Sequence, residues 1–127
     1  MRPFLAAALL VSLLITPALA KSHTVILPAN TAYAKAASTP ADKIPALCDQ
    51  IIADQNKSKV AMSDAAQLYY SGMLMGQHCV KVDYVKAVTL MQKSGNTALY
   101  NNLVHAIRER AASGNALAVA AVAKLKL

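Results

Sequence analysis

From residue 42 to the end of the chain, apolar side chains recur at the spacing of a helix face. Ile44, Leu47, Cys48, Ile51 and Ile52 follow the i, i+3, i+4, i+7, i+8 rule, so they share one stripe. Asp42 stands before them as an N-cap, and Pro45 falls in the first turn, where its missing N–H is not needed. Ala61, Ala65, Leu68, Tyr69, Gly72 and Met73 write a second helix, expected to stop near Gly76, with residues 77–82 as a connecting loop. Asp83 caps a third helix that places Tyr84, Ala87, Val88 and Met91 on one face. The fourth starts at Asn96 or Thr97, carries Tyr100, Leu103, Val104, Ile107 and Ala111, and ends at Ser113-Gly114-Asn115. A fifth runs through Leu117, Ala118, Ala121, Val122 and Leu125, with Lys124 and Lys126 near the negative end of its dipole.

Residues 21–40 show no sustained period and contain Pro28 and Pro40, which predicts an extended arm with Val25-Ile26-Leu27 as a short strand-like segment. Two turns repeat: Ser94-Gly95-Asn96 with Ala98-Leu99 after it, and Ser113-Gly114-Asn115 with Ala116-Leu117 after it. The offset suits one helix plus one turn, so two offsets make a hairpin unit of the size used in stacked repeats. The expected fold is all-α over residues 41–127: a short stack of antiparallel helical hairpins, about five helices, and not a closed bundle.

The first twenty residues follow a different rule. Met1-Arg2 is cationic, Phe4 to Ile15 is apolar apart from Ser12, and Pro17-Ala18-Leu19-Ala20 offers small residues to a signal peptidase. Residues 1–20 therefore read as a secretory signal. The apolar run is too short for the ~20 residues that cross a bilayer. Further on, the longest uncharged stretch, Ala65 to Val80, is interrupted by Gln67, Ser71, Gln77 and His78. The expectation is an exported protein of the periplasm or extracellular space that is not transmembrane.

Export changes the meaning of the two cysteines. In an oxidising space an even count in a small domain reads as one disulfide, here Cys48 to Cys79. With 56% apolar and 15% charged residues, the chain has the composition of a packed domain and not of a disordered one. Its formal net charge is +7, and Lys81, Lys86, Lys93, Arg108, Arg110, Lys124 and Lys126 make the second half basic. These residues are either solvated helix positions or an anion-attracting surface.

Tyr69-Tyr70-Ser71-Gly72-Met73-Leu74-Met75-Gly76, then a loop and Asp83-Tyr84-Val85-Lys86-Ala87, resembles the Sel-like repeats, a subclass of tetratricopeptide-like helical hairpins. Ala111-Ala112-Ser113-Gly114 echoes the small pair before Gly that closes such a unit. The resemblance covers roughly residues 60–125, with one recognisable repeat and one degenerate one. The sequence departs from the pattern at Met73, Tyr70, the longer loop from Gly76 to Asp83, and Ser94-Gly95. Membership would imply an adaptor or envelope regulator, with the first helix and its disulfide serving as an N-terminal cap.

Little points to catalysis. His23, His78 and His105 are scattered, no metal-ligand spacing occurs, and the acids mostly sit as caps, so no catalytic, metal or cofactor residues are assigned. Phosphate loops, nucleophile elbows and nucleic-acid motifs are absent from the sequence. Met62, Met73, Met75 and Met91, with Leu74 and Tyr69, suit either a core or an adaptable peptide groove. Leu74 and Met75 fall outside the main stripe and are expected to be exposed. The candidate interaction surface is thus Leu74, Met75, Lys81, Lys86, Lys93 and Arg108. The expected function is non-catalytic binding of another envelope protein or peptide, without cofactor or nucleic acid. The alternative is a basic envelope protein that makes a weak contact with an anionic polymer or membrane surface.

Overall fold

The computed structural model describes residues 32–127. The signal reading of residues 1–20, and the strand-like Val25-Ile26-Leu27, lie outside the described residues. Six α-helices appear in the described part: α1 (Ala32–Ala37), α2 (Ile44–Ala53), α3 (Lys59–Ser71), α4 (Tyr84–Ser94), α5 (Thr97–Ala112) and α6 (Ala116–Leu125). Two short strands, β1 (Met73–Leu74) and β2 (Gln77–His78), pair antiparallel between α3 and α4, with Met73 opposite His78 and Leu74 opposite Gln77. The architecture is the expected all-α stack: α3 and α4 form one hairpin, α5 and α6 the next, and α4 also packs on α5 and α6.

Side-chain caps set most helix starts. Ser58 Oγ accepts from Ala61 N at 3.0 Å, Asp83 Oδ1 from Lys86 N at 3.0 Å, Asn96 Oδ1 from Leu99 N at 3.1 Å, and Asn115 Oδ1 from Ala118 N at 3.0 Å. The repeated Ser-Gly-Asn turn is thus a stop and a start combined. Gly95 takes the left-handed conformation that ends α4, and the Asn that follows it caps α5.

α3 is the centre of the molecule. Every residue from Ser63 to Tyr70 is buried, because α4 covers one side and α1 and α2 cover another. Ser63 Oγ donates to Met91 Sδ at 3.6 Å, Gln67 Nε2 to the Ser63 carbonyl at 3.1 Å, and Asp64 meets Lys35 at 3.7 Å, whereas Gln67 Oε1 is buried without a hydrogen-bond partner. Leu68, Leu74, Met91, Leu103 and Ile107 fill the core around it.

Three local expectations are corrected. Residues 32–37 of the expected extended arm are helical: the segment is alanine-rich, and Ala32 and Ala36 are buried, so helix propensity and packing act together. Asp42 does not cap α2. It lies in a 3₁₀ turn, Ala41–Lys43, that runs directly into the helix, so Lys43 occupies the cap position without a side-chain hydrogen bond. The third correction concerns the end of α3. The helix stops at Ser71 and not near Gly76, because Gly72 turns left-handed at φ 71° and the chain doubles back as the β-hairpin.

That reversal fixes the connection between α3 and α4. Cys79 N donates to the Gly72 carbonyl at 3.0 Å and Asp83 N to the Tyr69 carbonyl at 2.9 Å. A Cβ on Gly72 would lie 2.9 Å from Val82 Cγ2 and 3.1 Å from the Val80 oxygen, so only glycine allows the returning segment to lie this close. The N-terminal layer is pinned to the same hairpin. Tyr33 Oη donates to the Met73 carbonyl at 2.8 Å and lies 2.7 Å from Ser71 Oγ, and Gln77 Nε2 donates to the Ala41 carbonyl at 3.1 Å.

Candidate binding cleft

The connection from α3 to α4 forms one wall of a cleft of about 460 Å³, and α6 forms the other. Tyr69, Val82, Tyr84, Leu117 and Ala121 supply apolar lining, Lys81, Lys86 and Lys124 bring three ammonium groups to it, and Asp83 brings one carboxylate, engaged by the Lys86 N–H as the cap of α4. Lys86 and Lys81 are placed by the capped start of α4, and Lys124 by the last turn of α6. Lys86 Nζ lies 4.8 Å from the centroid of the Tyr69 ring, a cation–π contact that draws its ammonium towards the apolar lining. No ion pair joins Lys81, Lys86 or Lys124 to an acid among the described residues. Leu117 is 53% exposed and presents apolar surface at the cleft. The volume falls in the range of ligand-binding pockets, and the chemistry is that of an apolar slot with cationic walls.

The structure divides the sequence-derived surface. Lys81 and Lys86 come together in the cleft, joined by Lys124 and Leu117. Lys93 and Arg108 are exposed but line no part of it. Met75 is 52% exposed at the hairpin tip, with Met73 beside it on the outward face. Leu74 is corrected: it is 0% exposed, because strand alternation turns it inward when Met73 faces out. Arg110, counted earlier among the basic surface residues, is instead a link between hairpins. Its Nε donates to Tyr70 Oη at 3.0 Å, and the Tyr70 and Tyr84 rings stand 5.7 Å apart. Burial lowers the Arg110 pKa, but the tyrosine hydrogen bonds outweigh it and leave a net rise.

A second hollow, about 260 Å³, lies among α1, α2 and α3. Its charges are already satisfied: Lys35 pairs with Asp64, and Lys57 with Asp54 at 3.0 Å. Burial raises the Asp64 pKa, and Lys35 opposes that rise. Asp54 is held below its ordinary value by hydrogen bonds from Gln50 and then Lys57. His105 Nε2 lies 2.7 Å from Glu109 Oε1 on the outer face of α5, so that histidine is engaged one turn along its own helix. Among the described residues no three His, Cys, Asp or Glu side chains gather as a metal site, and no helix is long and apolar enough to cross a membrane.

Cys48 and Cys79, expected as a disulfide, stand as free thiols. They nevertheless belong to one packed region, with Cys48 enclosed in the core on α2 and Cys79 part-exposed and packed against that core after β2. The sequence reading did not identify Leu117, because it counted that residue as part of the buried stripe of α6. Its position beside Lys124 at helical spacing, facing Lys81 and Lys86 across the chain, is visible only in the fold. No family model, curated protein or solved structure matches this chain.

Proposed function

We propose that this protein is an exported, non-catalytic binding module, a short stack of Sel-like hairpins whose cleft receives an acidic peptide segment of a partner protein. The observation that carries the reading is the cleft itself: apolar lining from Tyr69, Val82 and Leu117, flanked by Lys81, Lys86 and Lys124. An acidic segment with one large apolar side chain complements both features, with charge aiding encounter and the buried side chain supplying retention. The Sel-like reading is supported by the placement of Asp83 at a helix start, where the repeat pattern uses an aspartate.

An anionic polymer or membrane surface calls for a broad cationic face. Here Lys93, Arg108 and Lys126 do not line the cleft that holds Lys81, Lys86 and Lys124, which favours a localised peptide contact. The test is a titration of the protein with peptides of equal length that vary in acidic content and in the presence of one apolar anchor. Acidic peptides with an anchor are expected to bind best and to keep part of their affinity at high salt. Binding is expected to fall in Leu117→Asp and in a Lys81→Glu, Lys124→Glu double variant. If affinity tracks negative charge alone, vanishes with salt and ignores Leu117, the anionic-surface reading replaces the peptide one.

A further inference from the structure

Cys48 and Cys79 line no part of the cleft, and their arrangement points to chemistry of its own. Cys48 faces the core from α2 and is 1% exposed, whereas Cys79 is part-exposed where β2 leaves the hairpin. Cys79 is held in place by its backbone, through the hydrogen bond to the Gly72 carbonyl and the adjoining pairing of His78 with Met73. Cys79 packs against the core that holds Cys48, and the two thiols interact, so joining them requires no change in topology.

We propose that Cys48 and Cys79 are an oxidisable pair in which Cys79 meets the oxidant first and Cys48 completes the disulfide. The oxidant is a small or protein-borne disulfide. Cys79 loses its proton and its thiolate attacks one sulfur of the carrier disulfide; the carrier's S–S bond breaks, a mixed disulfide forms, and the first carrier sulfur leaves as a thiolate that takes up a proton. Cys48 then loses its proton and attacks Cys79 Sγ, so the Cys48–Cys79 bond forms as the second carrier thiolate departs and is protonated. The protein dithiol is oxidised by two electrons, and one carrier disulfide is reduced to two thiols.

The order follows from access. An oxidant from solvent reaches Cys79 and does not reach Cys48. Burial, followed by the hydrogen bond with Cys79, pushes the Cys48 thiol up to about 12, which keeps it protonated and unreactive towards the first attack. Contact with Cys79 makes the second attack intramolecular and compensates for that low reactivity. The completed bond would fasten α2 to the end of the β-hairpin, which the Gln77 to Ala41 hydrogen bond already ties to the turn before α2.

The experiment exposes the reduced protein to oxidised glutathione and follows thiols and mass. Wild type is expected to lose both thiols and two hydrogens, retaining no glutathione. Peptide mapping after brief oxidation should place the transient glutathionyl group on Cys79. Cys48→Ser should retain one glutathionyl group. In folded Cys79→Ser, Cys48 should react about 100-fold more slowly than Cys79 does in Cys48→Ser, with the difference disappearing in denaturant. The proposal is overturned if wild type keeps both thiols, carries glutathione on both, or shows the transient adduct on Cys48.

Discussion

Replacing Gly72 with alanine should damage the fold far more than the same change at Gly114, and the geometry says by how much. Both glycines have positive φ, 71° and 90°, so each substitution carries a backbone penalty of ~1–2 kcal/mol, less ~0.4–1 kcal/mol returned by a stiffer unfolded chain. At Gly114 a new Cβ meets nothing within 4 Å, so the cost ends there, near ~1 kcal/mol. At Gly72 it meets Val82 Cγ2 at 2.9 Å and the Val80 carbonyl at 3.1 Å. The valine methyl can rotate aside, but the carbonyl belongs to the backbone that returns to α4. Crowding of that kind adds ~1–3 kcal/mol, for a total of about 2–4 kcal/mol at Gly72. At roughly 4–8 °C per kcal/mol for a domain of this size, Gly72→Ala should melt at least 8 °C lower than wild type, about twice the loss of Gly114→Ala or more. Thermal and urea unfolding followed by far-ultraviolet circular dichroism reads the difference. Equal losses for the two variants would refute the claim that the 80–82 segment lies against Gly72 and that this approach shapes the cleft wall.

Met75 is an exposed residue at φ 48° followed by Gly76 at φ 79°, a turn in which asparagine fits better, so Met75→Asn should raise the urea midpoint by the equivalent of ~0.5–1 kcal/mol. Asp64 has a pKa raised above its ordinary 3.8 by burial, so its contribution favours folding below that pH and is lost as pH rises through the raised value. Asp64→Asn should therefore gain stability relative to wild type between acid and neutral pH, and urea midpoints that stay parallel across that range would contradict this. If the Cys48–Cys79 bond forms, it closes a loop of about 32 residues, and reducing it should cost roughly 3–4 kcal/mol, read as a lower melting temperature absent from Cys79→Ser.

Periodicity made the α2 to α6 helices readable, because each buries an apolar stripe at helical spacing and most start at an Asp or Asn cap. The same rule failed between residues 72 and 78. Met73 extends the apolar stripe of α3, and nothing local shows that Gly72 has already ended the helix; the close return of Val80 and Val82, a contact between distant residues, decides it. α1 was hidden for the opposite reason. Its six residues are too short to show a period, and burial of Ala32 and Ala36 supplies what the pattern lacks. For the candidate site, charge identified Lys81 and Lys86 but could not separate them from Lys93 and Arg108. Only the packing of α6 beside the start of α4 groups the first two with Lys124 and leaves the others outside.

The most direct test of the binding account is amide NMR of the labelled protein titrated with an acidic peptide bearing one apolar anchor. The account predicts saturable shifts concentrated on residues 81–86 and 117–124, and their loss in Leu117→Asp. Shifts centred on Met73 and Met75, or spread evenly over Lys93, Arg108 and Lys126, would contradict it.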